Sequence, residues 1–370
     1  MCVFICISAA IVFGYVFMVL CLFCGFRKTT GRKLASSASI SVSIILPFRN
    51  EERCIEKAIR SLLTQKFDSD FEIIAVDDHS TDNSWMLVDN IAANDSRLHV
   101  IKADGRGKKN ALAEGIAASR FGCIAVADAD CRYPDTWLQS MASEFVKNGC
   151  LLLCAPVKIS GMSNWFGNFQ FVDFASLVGS GIGAAGCGRP IMCNGANMMF
   201  DKAAVMRMDD PFNTAVESGD DVFLLHAVKR LDKQKISFTC RPETIVETKA
   251  APTVAGFMRQ RMRWGGKTRS YTDADSIIVA GIVAATAVCV VVSLSLIPWS
   301  WVPVVIVFAP KTVVDTLMLN SVCKDFGNRR PLWQMPVYEI VVALYTVAVV
   351  VGTVFGVNKN GSDMSKNLYI

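Results

Sequence analysis

The apolar run Phe121–Ala127 stops at two aspartates one residue apart, Asp128 and Asp130. A short, continuous apolar run of this kind suits a strand buried on both faces, the parallel-sheet type. In open α/β sheets, ligands lie beyond the carboxyl ends of such strands. Two carboxylates spaced i and i+2 at that end bring hard oxygens to one place. A Mg²⁺ or Mn²⁺ ion there would take its remaining ligands from water and substrate phosphates. The same D-x-D pattern also occurs in solvated turns, so its meaning depends on what the rest of the chain supplies.

The pattern recurs. Val42–Leu46 ends at Pro47 and runs into Phe48-Arg49-Asn50-Glu51-Glu52, followed by Ile55, Ala58, Ile59, Leu62 and Leu63 at helical spacing. Phe71–Val76 ends in Asp77-Asp78-His79-Ser80, and the next helix carries Trp85, Val88 and Ile91. Leu98–Ile101 precedes Gly105-Arg106-Gly107-Lys108-Lys109 and a small-residue helix from Asn110. Strands and helices alternating with short connections predict an α/β fold with a doubly wound, Rossmann-like, mainly parallel sheet. Beyond Asp130 the sequence predicts a helix around Trp137, strands at Leu151–Ala155 and Ala196–Phe200, and a helix starting near Gly219. The glycine-dense stretch Gly179–Gly188 reads as a loop.

The chain of 370 residues is 52% hydrophobic, and the excess lies at its two ends. Met1–Phe26 is long enough to span a bilayer and is followed by Arg27, Lys28, Arg32 and Lys33. That reads as a retained anchor with the next domain in the cytoplasm. Ser36–Ser41 is a polar linker. Thr253–Trp264 reads as a basic amphipathic helix at the membrane surface. Ile277–Ile297, roughly Trp299–Leu319, and Pro336–Phe355 are further candidate spans. Lys311 and Asp315, four apart in the middle one, are placed to pair inside a bundle. Lys324, Arg329 and Arg330 favour a cytoplasmic loop before the last span, while Lys359 and Lys366 weigh against an external C-terminus. The predicted organisation is an anchor at 1–26, an α/β domain at 40–270, a membrane region at 276–357 and a tail at 358–370. It implies a multi-pass protein of the inner membrane. The net charge of +5 shows no nucleic-acid patch. The 14 cysteines are scattered and read as reduced thiols, with Cys21-x-x-Cys24 an apolar pair rather than a zinc site. No P-loop signature and no G-x-G-x-x-G after the first strand are present, which argues against an ATPase and a dehydrogenase.

Several pieces carry chemistry. Asp77-Asp78 closes a strand, where a carboxylate can accept from a nucleobase N–H or a ribose hydroxyl; a helix cap is the alternative. Lys108 can neutralise a diphosphate. In Ser218-Gly219-Asp220-Asp221, a carboxylate at a helix start can cap it, or deprotonate an acceptor hydroxyl as general base. In Gln260-Arg261-Met262-Arg263-Trp264, cations beside an aromatic suit an interfacial anchor. They equally suit a site where Arg263 meets a departing diphosphate and Trp264 packs on an acceptor ring. His79, His99 and His226 are not at ligand spacing and read as structural.

In this order and spacing, D-D at 77–78, D-x-D at 128–130, G-D-D at 219–221 and Q-x-x-R-W at 260–264 resemble membrane-bound family 2 glycosyltransferases. The likeness covers about residues 40–270 and takes in P-F-R-N-E-E at 47–52, G-K-K-N-A-L at 107–112 and N-G-A-N at 194–197. The resemblance implies a GT-A fold and a UDP- or GDP-linked sugar donor bound with Mg²⁺ or Mn²⁺. It also implies an inverting transfer of a hexosyl or N-acetylhexosaminyl group to a lipid, lipid-linked or glycan acceptor of the cell envelope. By the same resemblance Pro47, Glu51 and Asp78 hold the nucleotide, Lys108 lies near the donor, and Asp128 contacts the ribose or donor. Asp130 with Asp128 binds the metal, Asp221 is the base, and Gln260, Arg263 and Trp264 hold diphosphate and acceptor. Asp220 stands where many relatives have glutamate, which leaves the choice between Asp220 and Asp221 open. Two further readings follow: a processive polysaccharide synthase, which shares Q-x-x-R-W, and a non-catalytic scaffold subunit.

Overall fold

The computed structural model describes residues 2–30, 39–161, 164–216, 218–328 and 332–354. Linker residues 31–38, the cations Arg32, Lys33, Arg329 and Arg330, Phe355 and the 358–370 tail lie outside them. In chain order the elements begin with α1 (Cys2–Thr30), β1 (Val42–Phe48), α2 (Ile55–Leu63), β2 (Phe71–Asp77), α3 (Ser84–Ala92), β3 (Leu98–Lys102), α4 (Lys108–Ala118) and β4 (Cys123–Val126). They continue with α5 (Trp137–Asn148), β5 (Leu152–Cys154), β6 (Val157–Ser160), α6 (Trp165–Gly186), β7 (Met198–Asp201), α7 (Lys202–Met206), α8 (Asp220–Asp232) and β8 (Ile236–Phe238). Last come β9 (Val246–Lys249), α9 (Val254–Lys267), α10 (Ala274–Ser295), α11 (Val302–Asp325) and α12 (Met335–Val354). They form two units. One is α/β, Lys28–Ser160 with Gly188–Lys249; the other is helical, made of residues up to Arg27, Gly161–Cys187 and those from Ala250.

In the α/β unit, β1 (VSIILPF) and β2 (FEIIAVD) are buried along their whole length. Strands covered on both faces carry continuous apolar runs, and these pair in parallel. The register sets Val42 opposite both Phe71 and Cys123, and Phe48 opposite Asp77. The carboxyl ends of β1, β2 and β4 therefore share one edge. Within these runs Glu72 has its charge met by Ser43 (2.6 Å) and by the Arg120 guanidinium (2.7 Å). The seven-stranded sheet has the order β3-β2-β1-β4-β7-β5-β8. Only β7 runs antiparallel to its neighbours, so the sheet is mainly parallel. A second, two-stranded sheet pairs β6 with β9 in parallel.

In the helical unit, four helices among the described residues are long and apolar enough to cross a membrane: Val3–Thr30, Ala274–Ser295, Val302–Asp325 and Met335–Thr353. The expected loop at Gly179–Gly188 is wrong: Gly179–Gly186 is the last third of α6, a helix of 22 residues. The physical reason is close approach. A Cβ on Gly183 would lie 2.3 Å from the Leu22 carbonyl oxygen of α1, and one on Gly186 would lie 2.0 Å from that of Gly25. Small residues break helices in water but let apolar helices touch backbone to backbone. Lys311 pairs with Asp315 at 2.7 Å as expected, and also with Glu339 of α12. The Tyr15 hydroxyl of α1 donates to both Asp315 oxygens at 2.8 and 2.9 Å.

Candidate functional site

The crevice at the carboxyl edge of β1, β2 and β4 is built by turns that strain the chain. Asn50 and His79, each just past a strand end, have φ of 54° and 59°. Such left-handed non-glycine residues are uncommon and gather at functional sites. The two turns stitch together: Asn50 N–H donates to Ser80 Oγ (3.0 Å) and Thr81 N–H donates to Asn50 Oδ1 (2.7 Å). Pro47 lies within β1 opposite Val76. Asp77 accepts from the Ser80 N–H at 3.0 Å and so fixes its own turn. Glu51 accepts from the Cys54 thiol at 2.8 Å. Burial raises its pKa to about 7 against that bond, with the Asp130 and Asp128 charges adding to the rise.

Asp78 is not the cap of α3, whose N-cap is Asn83. Its Oδ1 accepts from Gly107 N–H at 2.8 Å, and Arg49 lies 3.8 Å from its Oδ2. Gly107 has φ of +91°, which a residue with a Cβ rarely adopts, and this turn starts α4 with Lys108. Lys108 Nζ donates to Asp128 Oδ1 at 2.7 Å and sits 3.6 Å from Asp220 Oδ2. Burial pulls the lysine pKa down, but Asp128 and Asp220 push it up by more, so the ammonium stays charged. Asp221, next to it at the start of α8, accepts from Val222 N–H (2.8 Å) and Gly195 N–H (3.3 Å). Five predicted residues from four parts of the chain, Asp78, Lys108, Asp128, Asp220 and Asp221, thus form one linked polar cluster in a single unit.

Asp130 is exposed, and its Oδ2 accepts from Thr248 Oγ1 of β9 at 3.1 Å. Asp128 is held from behind, its N–H donating to the buried Tyr133 hydroxyl at 2.8 Å. Among the described residues no group of three or more His, Cys, Asp or Glu is arranged to hold an ion. The donor set at 128–130 is nevertheless of the right chemistry: hard carboxylate oxygens, one exposed and one half-buried. It fits a small divalent cation that draws its other ligands from substrate and water.

Gln260, Arg263 and Trp264 lie on α9, in the helical unit. Arg263 is exposed. Trp264 packs its ring 5.9 Å from that of Phe174 on α6. Between them in sequence, Arg261 is buried, ion-paired with Asp173 of α6 and sandwiched between the Phe257 and Trp264 rings at 4.5 and 4.4 Å. Sequence reasoning passed over Arg261, Asp173, Tyr133 and Thr248. Neither Thr248 nor Arg261 gives a local signal of its partner: the burial of Arg261 against Asp173 is seen only in the folded chain. Asn197, the last residue of N-G-A-N, is fully buried. It accepts from Trp137 Nε1 (2.9 Å) and donates to the Pro156 and Thr244 carbonyls (2.7 Å each), which fixes the backbone that carries Gly195.

Comparison with known proteins agrees with this architecture. Residues 43–207 match the family model described as glycosyl transferase family 2. The poly-β-1,6-N-acetyl-D-glucosamine synthase of Staphylococcus epidermidis is 25% identical over 60% of this chain and 53% of its own. The uncharacterized glycosyltransferase EpsJ of Bacillus subtilis is 37% identical over 29% of this chain and 31% of its own. The chain thus matches about half or less of the length of these relatives. In fold, it is similar to a mannosyltransferase from Pyrobaculum calidifontis solved in complex with GDP-Man and Mn²⁺. The TM-score is 0.59 over 95% of this chain and 99% of that one, at 14% identity. The chain therefore carries, at residues 43–207, a glycosyl transferase family 2 domain on a GT-A-type sheet.

Proposed function

We propose that the protein is a membrane-anchored, inverting glycosyltransferase. It moves a hexosyl or N-acetylhexosaminyl group from a UDP- or GDP-linked donor to a lipid, lipid-linked or glycan acceptor of the cell envelope. The observation that carries this reading is the Asp78–Gly107–Lys108–Asp128–Asp220 chain of contacts at the carboxyl edge of the sheet. Asp78, Glu51 and Pro47 bind the nucleotide, with Asp77 holding their turn. A Mg²⁺ or Mn²⁺ ion on Asp130 and Asp128 offsets charge on the diphosphate when bound. Lys108 faces the same diphosphate. Asp221 is the base: it takes the acceptor hydroxyl proton as that oxygen attacks the anomeric carbon and the nucleoside diphosphate leaves from the opposite side. Asp220, buried and beside Lys108, supports it. Gln260, Arg263 and Trp264 serve the diphosphate and the acceptor. The glycosyltransferase domain at 40–270 faces the cytoplasm from the inner membrane, between an anchor at 1–26 and a membrane region at 276–357.

A second reading, a processive polysaccharide synthase, is favoured by the similarity to the staphylococcal synthase. Product length separates the two: one sugar per acceptor, or a long polymer. The test is nucleotide release by the detergent-purified chain with a panel of nucleotide sugars, Mg²⁺ or Mn²⁺, and extracted membrane lipids. Release from one donor that needs metal and is lost in Asp221→Asn and Asp128→Ala is the expected result. Full transfer by both variants would overturn the assignment.

A further inference from the structure

The lysine at the centre of the crevice occupies the carboxylate that the cation is assigned to. Lys108 Nζ is 2.7 Å from Asp128 Oδ1 and 3.6 Å from Asp220 Oδ2. An ion bound to that Asp128 oxygen would stand next to an ammonium, and like charges on one carboxylate repel. The lysine side chain is 38% exposed and Asp128 is 27% exposed, so both groups have room to change partners. Lysine suits such an exchange: a compact charge on a flexible four-carbon stem, with donors that rotate. Its turn is tied in as well. Gly107, one residue earlier, donates to Asp78 Oδ1, the carboxylate assigned to the nucleotide.

We infer that Lys108 is a resident counter-cation that couples the two ligands: Asp128 becomes available to a divalent ion when a diphosphate takes over the lysine. The inference rests on reading the crevice as a nucleotide-diphosphate and metal site, and adds an energetic link between its halves. In the free protein the ammonium neutralises Asp128 and Asp220 and keeps the ion weakly bound. A diphosphate gives Lys108 a new partner and supplies ligands to the ion, so each ligand raises affinity for the other by the same factor.

The experiment is Mn²⁺ titration of the purified full chain, with free Mn²⁺ followed by electron paramagnetic resonance, alone and with saturating UDP or GDP. The wild type is expected to bind Mn²⁺ about tenfold more tightly with nucleotide, within the usual range of such couplings. Lys108→Met and Lys108→Gln should each bind Mn²⁺ alone more tightly than the wild type, and the nucleotide effect should shrink towards none. Lys108→Arg, which keeps the charge, should retain the coupling. If both neutral variants bind Mn²⁺ alone no better than the wild type while Asp130→Asn abolishes binding, the counter-cation role is wrong and the metal site stands. If Asp130→Asn changes nothing with or without nucleotide, the reading of the crevice falls and the inference falls with it.

Discussion

The molecule holds two lysine–carboxylate clusters that look alike in distance and differ in surroundings. Lys108 meets Asp128 at 2.7 Å in the α/β unit, and Lys311 meets Asp315 at 2.7 Å among the apolar helices. The first lysine is 38% exposed and its second carboxylate stands off at 3.6 Å. The second is 8% exposed, touches Glu339 as well, and has a tyrosine hydroxyl completing its neighbour's hydrogen bonds. Reach to water decides what each can do. An ion pair with solvent at its side can exchange partners at modest cost. One enclosed by apolar helices has no replacement partner, so it fixes helix positions instead.

The sharpest way to break this comparison is to strike each region and see which property fails. Asp221→Asn in the open crevice should cost transfer about 10²–10⁴-fold, the usual worth of a general base, with the melting temperature unchanged. Lys311→Ala should do the reverse. The buried Glu339 and the half-buried Asp315 lose their cation, a loss of about 3–5 kcal/mol, seen as a large drop in thermal stability in detergent. Replacing Lys311, Asp315 and Glu339 together by Met, Leu and Leu should recover most of that loss, because no buried charge is left unpaired. An unstable triple variant would mean that the cluster does more than hold helices together.

A smaller effect is expected behind the crevice. Asn197→Ala strips a partner from Trp137 Nε1 and from the buried Thr244 carbonyl, while the Pro156 carbonyl keeps the Val246 N–H, for about 1–3 kcal/mol per group left unpaired, measured by thermal unfolding. Transfer should fall too, since the Gly195 N–H on that backbone donates to the Asp221 carboxylate. The smallest effect concerns Glu51, whose carboxyl is raised from 4.5 to about 7 by burial. A carboxyl raised on folding contributes stability that is present below pH 4.5 and is lost as pH climbs through about 7. Glu51→Gln should therefore gain on the wild type between those values, and a melting profile parallel to the wild type's would contradict the raised carboxyl.

Much of the α/β unit was legible because its signals are local. A buried strand such as Phe71–Val76 and the acid that ends it lie within a few residues, so β1 to β4 and the strand-end places of Asp78 and Asp128 could be read from pattern, whereas the choice of Lys108 leaned on the family resemblance. The glycines of α6 were misread because their reason is not local. Gly183 makes sense only beside Leu22, which lies far away in the chain. The same holds for Thr248 beside Asp130 and Asp173 beneath Arg261, where one partner's sequence says nothing of the other. The antiparallel β7 was likewise hidden, since direction in a sheet leaves no mark on an apolar run.

The bond between Tyr15 and Asp315 joins residues 300 apart. The ribosome adds ~5–20 residues each second, so α1 exists for about 15–60 s before its partner on α11 is made. Throughout that interval the tyrosine hydroxyl lacks its Asp315 partner, while α6, whose glycines meet α1 backbone to backbone, is already made. Synthesis alone therefore makes α6 available to α1 before the charged cluster can form.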